Sequence, residues 1–188
     1  YNRDNVMHQL FEEQAERTPD ATAVFFDGRH VSYRELNRRA DRLARILVAG
    51  DGGTNPFVAV LMDRSVEMIT GVMAILKSGG AYVPLEPYLP PERITGILAN
   101  LNIHTVLTRP NQLEQFSSVY SRVEDVKRVV CVGWDSEDRD VRLIQPEDVL
   151  LEDARRLDTF PCAAPLPTVK AGDIAYTIFT SGSTGTPK

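Results

Sequence analysis

Cysteine and histidine are scarce: the 188-residue chain has two of the first and three of the second. Cys131 and Cys162 stand far apart, with no CxxC pair and no histidine at ligand spacing, so neither a metal site nor a disulfide framework is indicated. Both are expected as reduced thiols, and no metal-ligating residue is assigned. No apolar run reaches the ~20 residues that span a bilayer, and no secretory leader pattern is present. No membrane partner is expected, and the expected location is cytoplasmic. An excess of basic charge is also lacking: the net charge of −5 gives no electrostatic reason to expect nucleic acid, whose phosphate backbones are held by clustered Lys and Arg. Repeats and low-complexity tracts are absent, and the one tryptophan, Trp134, is read as structural. His8, His30 and His104 are read as packing or surface residues. The chain opens on Tyr1 rather than methionine, which reads as a segment of something longer.

What is present is ordinary globular composition, 43% hydrophobic and 25% charged, enough for a real core. Asn5 to Arg17 predicts a helix capped by Asn5, with Val6, Leu10 and Phe11 on one face. Ala21–Phe26 and His30–Ser32 predict a hairpin turning on Asp27-Gly28, a dipeptide that tolerates positive φ. Ser32 with Glu35 forms a capping-box signature for a second helix, whose buried stripe is Leu36, Ala40, Leu43 and Leu47. Arg34, Arg38, Arg42 and Arg45 fall mostly outside that stripe and read as a solvated face.

Beyond the loop Gly50–Pro56, strands and helices alternate. Phe57–Met62 is a strand, Ser65–Lys77 a helix ended by Gly79 and Gly80, and Ala81–Leu85 a strand. Pro90 and Pro91 open a helix through Leu101, and Thr105–Leu107 and Arg128–Val132 are strands. This alternation predicts an α/β fold, a mostly parallel sheet flanked by helices. The acidic run Asp135–Asp140 reads as a solvated loop, and the proline-rich Phe160–Thr168 as an extended connector. A final strand, Asp173–Phe179, leads into the last residues.

Those residues read TSGSTGTPK. Glycine-permitted backbone amides, the hydroxyls of Thr180, Ser181, Ser183, Thr184 and Thr186, and the Lys188 ammonium are donors that phosphate oxygens accept from. A Ser/Gly-rich surface loop has the same composition, so composition alone leaves both readings open. The commonest nucleotide signatures do not apply. Gly182 and Gly185 are too close for a Walker loop, Pro187 precedes the lysine, and GxGxxG is absent.

In context the pattern is more specific. IAYTIFTSGSTGTPK at Ile174–Lys188 resembles the phosphate-loop signature of the adenylate-forming superfamily. VSYREL at Val31–Leu36 and LKSGGAYVPLEPYLPPERI at Leu76–Ile94 resemble the first two core motifs of nonribosomal peptide synthetase adenylation domains. Both also read as structural junctions, a capped strand-to-helix turn and a glycine-ended helix. Glu86 stands where that pattern usually has aspartate, and Tyr88-Leu89-Pro90-Pro91 displaces its Tyr-Pro by one residue.

The resemblance implies that residues 1–188 are the N-terminal segment of an adenylation domain's large subdomain, truncated at the phosphate-binding loop. It implies ATP, contacted by Thr180, Ser181, Gly182, Ser183, Thr184 and Lys188, and Mg2+, whose ligand lies outside this segment. The implied partners are an amino-acid or other carboxylic-acid substrate, the remainder of the adenylation domain, and a carrier domain bearing phosphopantetheine. No catalytic acid, base or nucleophile can be named from these residues. The segment alone is expected to be inactive, poorly stable and a weak ATP binder. The alternatives are a segment of an acyl- or aryl-CoA ligase and a non-catalytic interaction module that retains the fold.

Overall fold

The structure, a computed structural model, describes residues 6–51, 56–113, 119, 122–133, 150–153 and 165–179. Trp134, the acidic run Asp135–Asp140, Cys162 and the first half of the proline-rich connector lie outside the described residues.

Helix α1 (Met7–Arg17) begins one residue later than the Asn5 cap predicts. Val6 is its cap, and the Val6 N–H donates to Gln9 Oε1 at 3.3 Å. Strands β1 (Thr22–Phe26) and β2 (Arg29–Ser32) form the predicted hairpin, with Asp27 at φ 50° and Gly28 at φ 75°. Helix α2 (Tyr33–Asp51) is capped by Ser32 Oγ, which accepts from the Glu35 N–H at 3.2 Å. The Glu35 carboxylate does not reach back to complete a box. It binds Arg38 at 2.8 Å and Arg39 at 2.6 Å, and the Arg38 bond is the main cause that holds its pKa at about 2. A guanidinium one turn along the helix competes well with a neutral N–H for a carboxylate.

Strand β3 (Phe57–Leu61), helix α3 (Val66–Lys77), strand β4 (Ala81–Leu85), helix α4 (Pro91–Asn100) and strand β5 (Thr105–Thr108) follow. Ser65 caps α3 by accepting from the Met68 N–H at 3.1 Å. After α3, the Gly80 N–H bonds back to Ile75 O and Gly79 sits at φ 79°, the left-handed exit only glycine takes cheaply. A four-residue helix α5 (Pro110–Leu113), strand β6 (Arg128–Cys131) and strand β7 (Leu150–Asp153) complete the elements. Neither α5 nor β7 was expected from the sequence; both are too short for periodicity to register.

The main sheet has strand order β4-β3-β5-β6-β7, every pair parallel. This bears out the α/β expectation, and the strand residues explain the layering. Val58, Val60 and Met62 face Leu43, Leu47 and Ile75 of α2 and α3, whereas Ala59 and Leu61 face Ile94, Ile97 and Leu98 of α4. Successive side chains point to opposite faces, so a strand covered on both sides must be apolar throughout. Cys131 is buried in this core and is in no disulfide.

The helices α1, α2 and α3 meet at a buried cation. The Lys77 side chain is 1% exposed and holds Glu12 of α1 and Asp41 of α2, the latter at 2.6 Å. His8 is buried beside them, His30 is exposed on the hairpin, and His104 is half-buried before β5. Arg128 at the start of β6 is also buried, and its guanidinium donates to Ile46 O at 2.7 Å and Leu47 O at 3.3 Å near the end of α2. Sequence pattern could not reveal these two cations, because a charged residue in a period-matched element is normally read as solvated.

Candidate functional site: the seat of the phosphate loop

Thr180, Ser181, Gly182, Ser183, Thr184 and Lys188 lie outside the described residues, so the site is built here from what leads into them. Residues 165–179 run first over the exit of α3 and then along the outer edge of β4. A Cβ at Gly79 would come 3.1 Å from Pro167 Cγ and 3.8 Å from Val169 Cγ2, so this glycine serves both the left-handed exit and a close crossing. Gly80 is equally confined, its Cβ position 3.1 Å from Pro56 O and 3.2 Å from Ile75 Cγ2. The Gly-Gly pair is thus a shallow saddle for the incoming chain.

The predicted strand Asp173–Phe179 proves to be a single parallel bridge, Tyr82 to Tyr176. The Tyr82 N–H donates to Ala175 O, and Tyr82 O accepts from the Thr177 N–H, both at 3.1 Å. The physical reason is Pro84. The Ala81 N–H points inward to Pro56 O, so the outward-facing positions of β4 alternate from Tyr82 to residue 84, where proline has no N–H to offer. Beyond Tyr82, the ladder has no second donor on β4.

Side chains reinforce that point. The Tyr82 and Tyr176 rings stack with centroids 5.6 Å apart and planes 29° apart. Burial raises the Tyr82 phenol pKa, and Tyr176 adds to the rise. Tyr82 packs, with Leu166, on the α2–α3 side of the sheet, while Phe179 packs on the opposite side with the α4 cluster. The chain therefore runs parallel to β4 as far as Phe179, toward the carboxyl edge where open parallel sheets bind ligands.

The same edge carries a polar network that the sequence reading missed. Gln112, 2% exposed, donates through Nε2 to Asp63. Arg109 stands 3.7 Å from buried Glu67, and Thr108 Oγ1 donates to Leu61 O at 3.2 Å. These groups sit where β3 has neighbours reached by oppositely directed connections, which is the switch point of the sheet. A lone Gln four residues past a strand gives no sequence signal of burial. Among the described residues no group of three or more His, Cys, Asp or Glu is arranged to hold a metal ion, and no helix is long and apolar enough to cross a membrane.

Tyrocidine synthase 3 of Brevibacillus parabrevis is 38% identical over 189 residues, and tyrocidine synthase 1 of the same organism is 39% identical over 188. Each alignment takes in all of this chain, which spans only 2% and 15% of those relatives' lengths. The solved nonribosomal peptide synthetase FmoA3, with α-methyl-L-serine-AMP bound, superposes with a TM-score of 0.70 at 29% identity, over 98% of this chain and 18% of FmoA3. Residues 11–188 match the family described as AMP-binding enzyme, and the chain belongs to that family.

Proposed function

We propose that residues 1–188 are the N-terminal segment of an amino-acid-activating adenylation domain of a nonribosomal peptide synthetase, working in the cytoplasm. The reaction joins a carboxylate to the α-phosphorus of ATP, releases pyrophosphate, and passes the acyl group to the phosphopantetheine thiol of a carrier domain. The observation that carries this reading is the relation along the whole chain to peptide synthetases, and the bridge of Tyr82 to Tyr176, four residues of sequence before TSGSTGTPK begins, supports it.

The donor set suits the nucleotide. Backbone N–H groups around Gly182 and the hydroxyls of Thr180, Ser181, Ser183 and Thr184 donate to phosphate oxygens, and the Lys188 ammonium offsets negative charge growing on the leaving phosphates. ATP, with Mg2+, supplies the electrophilic phosphorus and the leaving group. The chain's own contribution is to hold and orient those phosphates, a role in which fixed donors lower the barrier without reorganising.

ATP–pyrophosphate exchange by the full-length polypeptide, run across a panel of amino acids, tests this. Exchange with one or a few amino acids, followed by loading of a carrier domain, is the expected result. Exchange only with aryl or fatty acids, with product release on adding coenzyme A, would identify a CoA ligase instead. No exchange with any acid would leave the binding-module alternative standing.

A further inference from the structure

The second sequence motif, Leu76–Ile94, identifies the family but has no chemical task in the reading above. Its residues nevertheless meet the run-in at three points: Pro167 over Gly79, the backbone bridge at Tyr82, and the Tyr82–Tyr176 stack. We propose that Tyr82 is a positioning residue for ATP, fixing the register in which the chain enters Thr180–Lys188; this rests on the phosphate-loop reading above.

Tyr82 makes the one backbone bridge between β4 and the run-in among the described residues. Along β4 only its N–H faces outward, because Ala81 is turned toward Pro56 and Pro84 has none. One backbone bridge does not by itself fix register, and a slip of one residue would move Phe179 from the α4 side of the sheet to the other face. A slip of two would displace the chain by about 7 Å. Thr180 is three peptide units beyond Thr177 in sequence, a span of at most about 10 Å. Phosphate-binding groups work only within ~0.5 Å of their proper places, so register at Tyr82 becomes affinity at the loop. Two side-chain contacts oppose slippage, Phe179 packed on the α4 side and the stack of Tyr176, itself 52% exposed, on Tyr82.

The experiment uses the full-length polypeptide and steady-state exchange kinetics, with ATP and amino acid varied separately. Tyr82→Ala should raise the ATP KM roughly three- to tenfold, the range lost with an aromatic pair, and leave the amino-acid KM unchanged. Tyr82→Phe keeps the ring and should stay near wild type. Tyr176→Ala, which removes an exposed ring and leaves the core intact, should repeat the ATP effect even where Tyr82→Ala folds poorly. The double variant should be no worse than either single, because both remove one stack. Tyr88→Ala, an exposed tyrosine of the same motif, should change nothing.

Equal changes in both KM values, or none in either for Tyr176→Ala, would overturn the assignment. Thr184→Val and Lys188→Ala separate this failure from that of the underlying reading. If they leave ATP use untouched, the phosphate-loop reading falls and takes the assignment with it; if they impair ATP use while Tyr82→Ala and Tyr176→Ala do not, only the positioning role of Tyr82 falls.

Discussion

Glu12→Gln combined with Asp41→Asn should release α1 from the domain far more than either change alone. The Lys77 side chain is 1% exposed, while those of Glu12 and Asp41 remain 37% and 36% exposed. That asymmetry sets the magnitudes. Each single change leaves the ammonium one carboxylate, so the expected loss is ~1 kcal/mol, the upper range for a partly solvated pair. The double change leaves a buried cation without either carboxylate, a situation that costs ~3–5 kcal/mol. Water entering where the half-exposed carboxylates stood favours the lower end, so the estimate is ~3 kcal/mol. Glutamine and glutamate have nearly equal helix propensity, so α1 itself is not weakened. Hydrogen exchange of residues 7–17 in the full-length protein reads this directly. Exchange limited by local opening should quicken about fivefold in each single variant and on the order of 100-fold in the double. A double effect under about tenfold, or one equal to the product of the singles, would refute the view that Lys77 is the tie between α1, α2 and α3.

Other outcomes follow from the same geometry. Burial lowers the His8 pKa below 6.5, opposed by Glu12 and reinforced by Lys77. A lowered folded pKa means that stability is present above the unfolded value and is lost as pH falls through the folded one. Protection of the α1 amides, taken relative to their intrinsic exchange rate at each pH, should therefore fall from pH 7 toward 5, and His8→Gln should flatten that dependence; an unchanged slope would remove His8 as the cause. Glu35, held at about 2 chiefly by Arg38, contributes above its ordinary 4.5 and stops contributing as pH falls toward 2. Because it is partly solvated, Glu35→Gln should cost less than ~1 kcal/mol at pH 7, and urea midpoints at pH 7 and pH 3 should converge on wild type at the lower pH. Gly79→Ala combines φ 79° with a 3.1 Å approach to Pro167 Cγ, and should lower stability by ~1–2 kcal/mol; an unchanged urea midpoint would show that the saddle yields freely.

The helices, the hairpin turn and the alternation of strand with helix were legible because each is written in neighbouring residues. Ser32 and Ser65 cap where a short polar side chain precedes an apolar period, Asp27-Gly28 turns where positive φ is cheap, and Phe57–Leu61 is apolar at every position because both faces are covered. The donor composition of Thr180–Lys188 is local in the same sense, and the family was legible in the resemblance of Ile174–Lys188, Val31–Leu36 and Leu76–Ile94 to its motifs. Pro84 was legible too, but its consequence was not. Only the pairing of Ala81 with Pro56 shows that the missing N–H faces outward and limits Asp173–Phe179 to one bridge. The buried cations Lys77 and Arg128, the Gln112–Asp63 bond and the Tyr82–Tyr176 stack depend on partners distant in the chain. The sequence by itself therefore determined the α/β class and the chemistry the last loop offers, since both follow from local pattern. Tertiary structure decided where the segment before that loop meets the sheet and which charges are buried, because each depends on which residues from separate elements face one another once the sheet has formed.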